Sequence, residues 1–440
     1  MGKVGTRAGA TGTITITELK QTGDGKTNGF GVLAYHTNTS AWDAVKSTAL
    51  PNFMYNEKVY WSDKWTYSPI KFWPNDFANG SAVDNKAPGS EDIAATGSQA
   101  GGKVSFFAYA PYVELTDVAL GTPGITHING KNVKGGGSSL GNEKPGDPTV
   151  TYSLASGANI YESANVDLLW GTRTTAAYDL ANNTQDDYDA VSAYKDDLSP
   201  NNYYNTDLTK QQTPETVDFL FKHALTKISD FKVVADIDGN STTPTTSGYG
   251  THDSNTEILL NEIKIADNTS TPYTTGVFHL STGVWSDHAT ANDFEYTYTT
   301  STDGVNTAVW ETVTPSYSAS AWSPVGVKPD ANPIQDVFTS NTPSLFLIPN
   351  AEQKLEITVK YTVRTYDEKL AAVDGVTCSK VQQTIKNIVT LPATVLQPNK
   401  KLTLVLHLGL TSVKFAANIA DWTTGETEAV WLPSNTGANQ

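Results

Sequence analysis

Apolar residues recur at every second position wherever the chain is not loop, the signature of half-buried strands. In "KLEITVKYTVRTY", Leu355, Ile357, Val359, Tyr361 and Val363 face one way and Glu356, Thr358, Lys360, Thr362 and Arg364 the other. That is the pattern of an antiparallel strand with one wet side. "KLTLVLHLGL" places Leu402, Leu404, Leu406, Leu408 and Leu410 on one face, and "VKFAANI" follows across Thr411 and Ser412, which predicts a hairpin. "TITIT" at 13–17 reads as a further strand with Ile14 and Ile16 on one side. Less alternating apolar runs, "VSFFAYAPYV" (104–113) and "SLFLIP" (344–349), predict strands covered on both faces, each closed by a proline. Helical patterning is confined to "AWDAVKSTAL" (41–50) and "TPETVDFLFKHALTKI" (213–228); the second is read as strand, because Val217, Phe219 and Phe221 alternate.

"KWTYSPIKFWPNDF" (64–77) carries five aromatic side chains and two prolines. Pro69 and Pro74 lack backbone donors and disfavour helix before them, so two short strands with a bend are expected. Its rings fill a core or form an exposed platform. Burial of one such ring is worth roughly 2–3 kcal/mol, which accounts for Trp65, Tyr67, Phe72, Phe106, Phe107 and Tyr109 as core of a first domain. The other use is a glycan-binding surface on which Trp61, Trp73 and Tyr112 stack against sugar faces. Gly-, Asn- and Pro-rich loops separate the strands; the longest run over 130–148 and 236–255. Taking the second as linker gives an N-terminal β-sandwich over 1–240 and a C-terminal β-sandwich with its tail over 250–440. A chain of 440 residues exceeds what one core usually supports.

Charge narrows the partners. With 46 acidic against 30 basic residues the net charge is −16, the opposite of a phosphate-binding surface, so nucleic acid is excluded. Cys378 is the lone cysteine, so no intrachain disulfide forms and the thiol reads as a small buried filler. No run of eighteen apolar residues is present, and "MGKVGTRAGATG" has no apolar signal region, reading as a flexible leader.

Motifs of chemistry fail on context. "GSSLG" around Ser139 matches a nucleophile elbow, but polyglycine before it and "NEKPGDP" after it supply neither strand nor helix. "DIDGN" spaces Asp236, Asp238 and Asn240 like a calcium loop, yet the glycine comes one place early and Ser247 stands at the twelfth position. The seven histidines show no three- or four-residue spacing for zinc, and His223 and His407 read as packed, hydrogen-bonded side chains. Carboxylates such as Asp186, Asp187, Asp196 and Asp197 are plentiful, but pairing alone does not make a glycosidase. "LPSNTG" (432–437) is one residue too long for a sortase signal. Nothing selects a metal or cofactor. Of 30 basic residues only Arg7, Arg173 and Arg364 are arginine, and Arg7 lies in an extended, accessible context that suits a protease.

Seven stretches, taken in order, resemble the Bacteroidales fimbrillin family of pilus subunits: "LPNFMYNEKVYW", "WTYSPIKFWPN", "VSFFAYAPY", "VDLLWG", "VDFLFKHALTKISDFKV", "LSTGVW" and "VKFAANIADW". The resemblance runs from about residue 28 to 422, nearly the whole chain. The resemblance implies an all-β fold of two tandem transthyretin-like Greek-key β-sandwiches and no enzyme activity. It implies export as a lipoprotein precursor, attachment to the outer membrane only through the precursor's lipid anchor, and display in a fimbria. The implied partners are other pilus subunits and a host or bacterial surface protein or glycan. It further implies that an arginine-specific protease cuts at Arg7, and that a strand donated by a neighbour fills the groove so opened. Ala429, Val430, Trp431 and Leu432 are the donor candidates. Stalk, tip and anchor roles stay open, as does the alternative of a non-polymerising glycan-binding sandwich.

Overall fold

The computed structural model describes residues 12–23, 26–38, 40–71, 103–115, 123–129, 131–132, 145–155, 162–173, 205–208, 217, 219–235, 256–267, 272–289, 295–299, 335–336, 344–373, 376–408, 413–421 and 428–430. Among the described residues helix is limited to short pieces, α1 (Ile16–Leu19), α2 (Trp42–Val45) and a 3-10 turn (Glu162–Ala164); the fold is all-β. The first strands are β1 (Phe30–His36), β2 (Met54–Ser62), β3 (Lys64–Thr66), β4 (Val104–Ala110), β5 (Gly124–Ile128), β6 (Lys131–Asn132), β7 (Thr149–Ser153), β8 (Leu169–Arg173), β9 (Asn205–Leu208) and β10 (Phe219–His223). There follow β11 (Thr226–Ala235), β12 (Thr256–Asp267), β13 (Thr275–His279), β14 (Val284–Ala289), β15 (Glu295–Thr299), β16 (Gln335–Asp336) and β17 (Leu345–Leu347). The last are β18 (Gln353–Tyr366), β19 (Ala372–Val373), β20 (Val376–Leu391), β21 (Lys400–Leu408), β22 (Val413–Asp421) and β23 (Glu428–Val430).

The chain divides into two compact units whose segments alternate along the sequence. One comprises residues 1–153, 166–224 and 276–287, the other 154–165, 225–275 and 288–440. The single boundary expected between 240 and 250 lies outside the described residues.

The first unit has a seven-stranded sheet, β10-β8-β4-β1-β2-β3 with β9 also on β4, and a five-stranded sheet, β14-β13-β7-β5-β6. β1 and β4 lie at the centre and are buried on both faces, as the apolar run of β4 implies. One face presents Phe30, Val32, Ala34, Phe106 and Ala108 to Ile14 and Leu19 from before β1. On the other, Tyr35, Phe107 and Trp42 form an aromatic cluster. Trp170, opposite Tyr109 in the register, meets Phe278 of β13 at 5.1 Å between ring centroids. That contact joins the two sheets of this unit into a sandwich. Gly31 lies under the Tyr109 ring, where a Cβ would fall 2.4 Å from it.

The second unit pairs β16-β11-β21-β22-β23, with β17 also on β11, and a second sheet β15-β12-β18-β20-β19. The alternation of β18 is realised from Leu355 to Tyr361: Leu355, Ile357, Val359 and Tyr361 are fully buried and Glu356, Thr358 and Lys360 are not; beyond it Thr362, expected on the wet side, is buried and Val363 only half-buried. β21 and β22 form the expected antiparallel hairpin, from Lys400 opposite Asp421 to Leu408 opposite Val413. β21 also runs parallel to β11, so it is an interior strand; Val405 and Thr403 are therefore buried along with Leu402, Leu404 and Leu406. Cys378 is 2% exposed, as a small filler would be.

"TITIT" is not a strand. Thr15 caps α1: the Glu18 N–H donates to its hydroxyl (3.4 Å), and the Glu18 carboxylate accepts from the Thr15 N–H (2.7 Å). This reciprocal capping box outcompetes a two-residue alternation only five residues long.

Candidate functional site

Two places bear on strand exchange, the segment before β1 and the strand edges of the second unit. Gly12 forms a parallel bridge with Val166, and the Ile14 N–H donates to the Asp167 carboxylate at 3.0 Å. His223 Nδ1 lies 2.7 Å from the same oxygen, and Asp167 is wholly buried. The packed, hydrogen-bonded role expected for His223 is thus the one observed. Ile14 (4% exposed) and Leu19 (1%) enter the core cluster, which Trp65, Tyr67, Phe219 and Phe221 border as partly buried side chains. Together the two aliphatic side chains contribute about 3–6 kcal/mol of burial. Arg7 lies outside the described residues, and so do Phe72, Ser139, Asp236, Asp238, Asn240, Asp186, Asp187, Asp196 and Asp197.

Of the donor candidates, Ala429 and Val430 belong to β23, which pairs with β22 of its own chain: Ala429 lies opposite Asn418 and Val430 opposite Ala417. Trp431 and Leu432 lie outside the described residues. β23 is three residues long and stands at the end of its sheet. In the other sheet β20, next to last in the order, is sixteen residues long, paired with β18 from Cys378 to Leu391 and with β19 at Val376 and Thr377.

Of the stacking candidates, Trp61 and Tyr112 are partly buried. Trp61 meets Trp65 edge-on, at 5.3 Å and 78° between planes, and the Lys20 ammonium sits 3.9 Å from its ring centre. Tyr112 has Lys58 at 5.3 Å, and its phenol is pushed up to about 12 by burial and then by Glu114 and Glu57. Trp73 lies outside the described residues.

One constellation escaped the sequence. His279 Nδ1 lies 2.6 Å from the Asp147 carboxylate and Nε2 2.8 Å from Ser286 Oγ, the order of groups in a serine hydrolase. Ser286 Oγ also lies 3.5 Å from the Asp287 carboxylate, a charge that would repel the oxyanion of acyl transfer. The imidazole instead ties both strands of the β13–β14 hairpin to the loop before β7. Asp147 and His279 are 132 positions apart, so no local spacing announces the contact. Among the described residues no group of three His, Cys, Asp or Glu side chains is placed to hold a metal, and no helix is long and apolar enough to cross a membrane.

No family model matches the chain. Its sequence is 26% identical over 408 residues, 90% of this chain and 82% of that protein, to fimbrium subunit Fim1C of Phocaeicola vulgatus. The crystal structure of a fimbrial protein from Bacteroides vulgatus aligns with a TM-score of 0.56 at 23% identity, covering 93% of this chain and 96% of that one.

Proposed function

We propose that this chain, a homologue of the fimbrium subunits of Bacteroidales, is a structural subunit of a cell-surface fimbria with a role in adhesion, and that it joins its neighbours by exchanging a β-strand. The similarity to Fim1C across 90% of the chain carries the fimbrial assignment. Strand exchange is supported by physics: a strand at the end of a sheet holds unpaired N–H and C=O groups, and a donated strand supplies both hydrogen bonds and alternate apolar side chains. The three-residue β23 is a weak hold on its own chain, which suits a segment that transfers to another. The same reading assigns tandem transthyretin-like Greek-key sandwiches, lipoprotein export to the outer membrane, processing at Arg7 and donation of Ala429–Leu432. It assigns no enzyme activity.

Digestion of the full precursor with an arginine-specific protease, followed by gel electrophoresis without boiling, tests it. Heat-resistant ladders that vanish in an Arg7→Ala precursor are the expected result. Monomers alone, from both precursors, overturn it.

A further inference from the structure

The seat of residues 12–19 on the first unit passes through one buried carboxylate. Asp167 is 0% exposed, and its Oδ2 accepts from the Ile14 N–H at 3.0 Å and lies 2.7 Å from His223 Nδ1. The bridge of Gly12 to Val166 sets the segment beside it, and Ile14 and Leu19 continue from there into the core. His223 closes β10, at the end of the sheet order, opposite Leu169 of β8, and its side chain is 12% exposed. The imidazole therefore reaches solvent and can exchange its proton, while the carboxylate beneath it is sealed off.

Three elements bring titratable or charged groups to this carboxylate or to the segment it holds. β7 contributes Tyr152, whose hydroxyl donates to the Val166 carbonyl and whose phenol is pushed well above its ordinary value by burial first and then by the Asp167 charge. It stays neutral. α1 and its C-cap contribute Glu18, whose carboxylate accepts from the Thr15 N–H and hydroxyl at 2.7 and 2.8 Å, and Lys20, whose ammonium lies over the Trp61 ring. β10 contributes His223 and its neighbour Lys222, which alternation turns to the other face of the strand. The positive charge that these elements can set against Asp167 is that of His223.

We propose that Asp167 and His223 form a pH-sensitive catch for the segment Gly12–Leu19, which is firmly seated while the imidazole carries its second proton and loosens as rising pH removes it. The sign follows from the two charge states. An imidazolium neutralises the buried carboxylate and gives it a charge-assisted hydrogen bond, roughly twice as strong as a neutral one. A neutral imidazole still donates from Nδ1, but it leaves a full negative charge in a site without water, and such burial is costly. Opening of the segment lets water reach the carboxylate, so the deprotonated pair favours the open arrangement. Neither state involves a second chain, so the catch stands whether or not subunits exchange strands.

The test is amide hydrogen exchange on the full chain, read as protection factors so that the intrinsic effect of pH on exchange is removed. The Ile14 amide, bonded to Asp167, and the Leu19 amide, bonded to the Thr15 carbonyl, report the segment, and the amides of β4 report the rest of the unit. Between about pH 5 and about pH 8, where imidazoles exchange their proton, protection at Ile14 and Leu19 falls about ten-fold while β4 holds steady. His223→Gln, whose amide can still donate to Asp167, gives a flat profile at the loosened level. Asp167→Asn, which removes the buried charge and keeps the side chain's shape, is flat as well. The profile of the unaltered chain decides by itself should either variant fail to fold. A flat profile in that chain, or a fall in His223→Gln as steep as in the unaltered chain, overturns the proposal. A fall shared equally by the β4 amides shows pH acting on the whole unit and overturns it too.

Discussion

Gly283, in the turn between β13 and β14, meets two requirements at once. Its φ is +67°, a left-handed conformation that side chains resist, and a Cβ there would fall 1.6 Å from Trp170, itself 9% exposed and packed on Phe278. Gly283→Ala therefore combines backbone strain with overpacking and is expected to cost about 3 kcal/mol. Gly23→Ala is the control: its φ is +114° but nothing lies within 4 Å, so only the backbone cost of about 1 kcal/mol applies. Urea unfolding of both variants checks the difference. Buried phenols give a second prediction at this scale. Burial first, then Asp147 and Tyr55, push the Tyr35 phenol up, and burial first, then Asp167, push Tyr152 up. The protonated phenol thus belongs to the folded state, and its contribution is whole below the ordinary value of 10 and lost as pH rises through the higher folded values. Alkaline absorbance titration should show these two ionising only as the fold is lost, and the pH dependence above 10 should be shallower in Tyr152→Phe. The sequence marks Tyr35 and Tyr152 only as aromatics. What raises them is first burial and then proximity to Asp147 and Asp167, both set by pairings far apart along the chain.

At the scale of the element, legibility followed the distance over which information acts. β4, β18 and β21 could be read because burial on one or both faces repeats every two residues, and a strand's own sequence holds that record. The parallel pairing of β11 with β21, and the attachment of β13 and β14 to the sheet of β7, join segments more than a hundred residues apart and leave no periodic mark. α1 was misread for the opposite reason: its determinant is more local than the alternation, one threonine and one glutamate three apart. Thr15→Ala removes the cap and is expected to cost about 1 kcal/mol, whereas Thr15→Ser retains the hydroxyl and most of the stability. Hydrogen exchange localises the effect. The Leu19 amide, which donates to the Thr15 carbonyl at 2.9 Å, should exchange faster in Thr15→Ala while the β18 and β20 amides, in the other unit, do not change.

For the whole molecule, what matters is which part of the N-terminal chain holds the first unit closed. Gly12 to Leu19 supply a bridge to Val166, a donor to Asp167 and two core side chains. A chain beginning at Gln21 loses Ile14 and Leu19, about 3–6 kcal/mol of burial, and leaves Asp167 without the Ile14 donor, about 1 kcal/mol more. It should unfold earlier and bind an apolar dye. Because the lost contacts are those of a short extended segment followed by one helical turn, a peptide of residues 11–20 added in trans should restore part of the lost stability in proportion to its concentration. If the chain from Gln21 is as stable as the full chain, the segment is not what closes this unit. If the peptide fails to rescue a destabilised chain, its contacts depend on covalent attachment, and strand donation into this unit by a neighbour loses its physical basis.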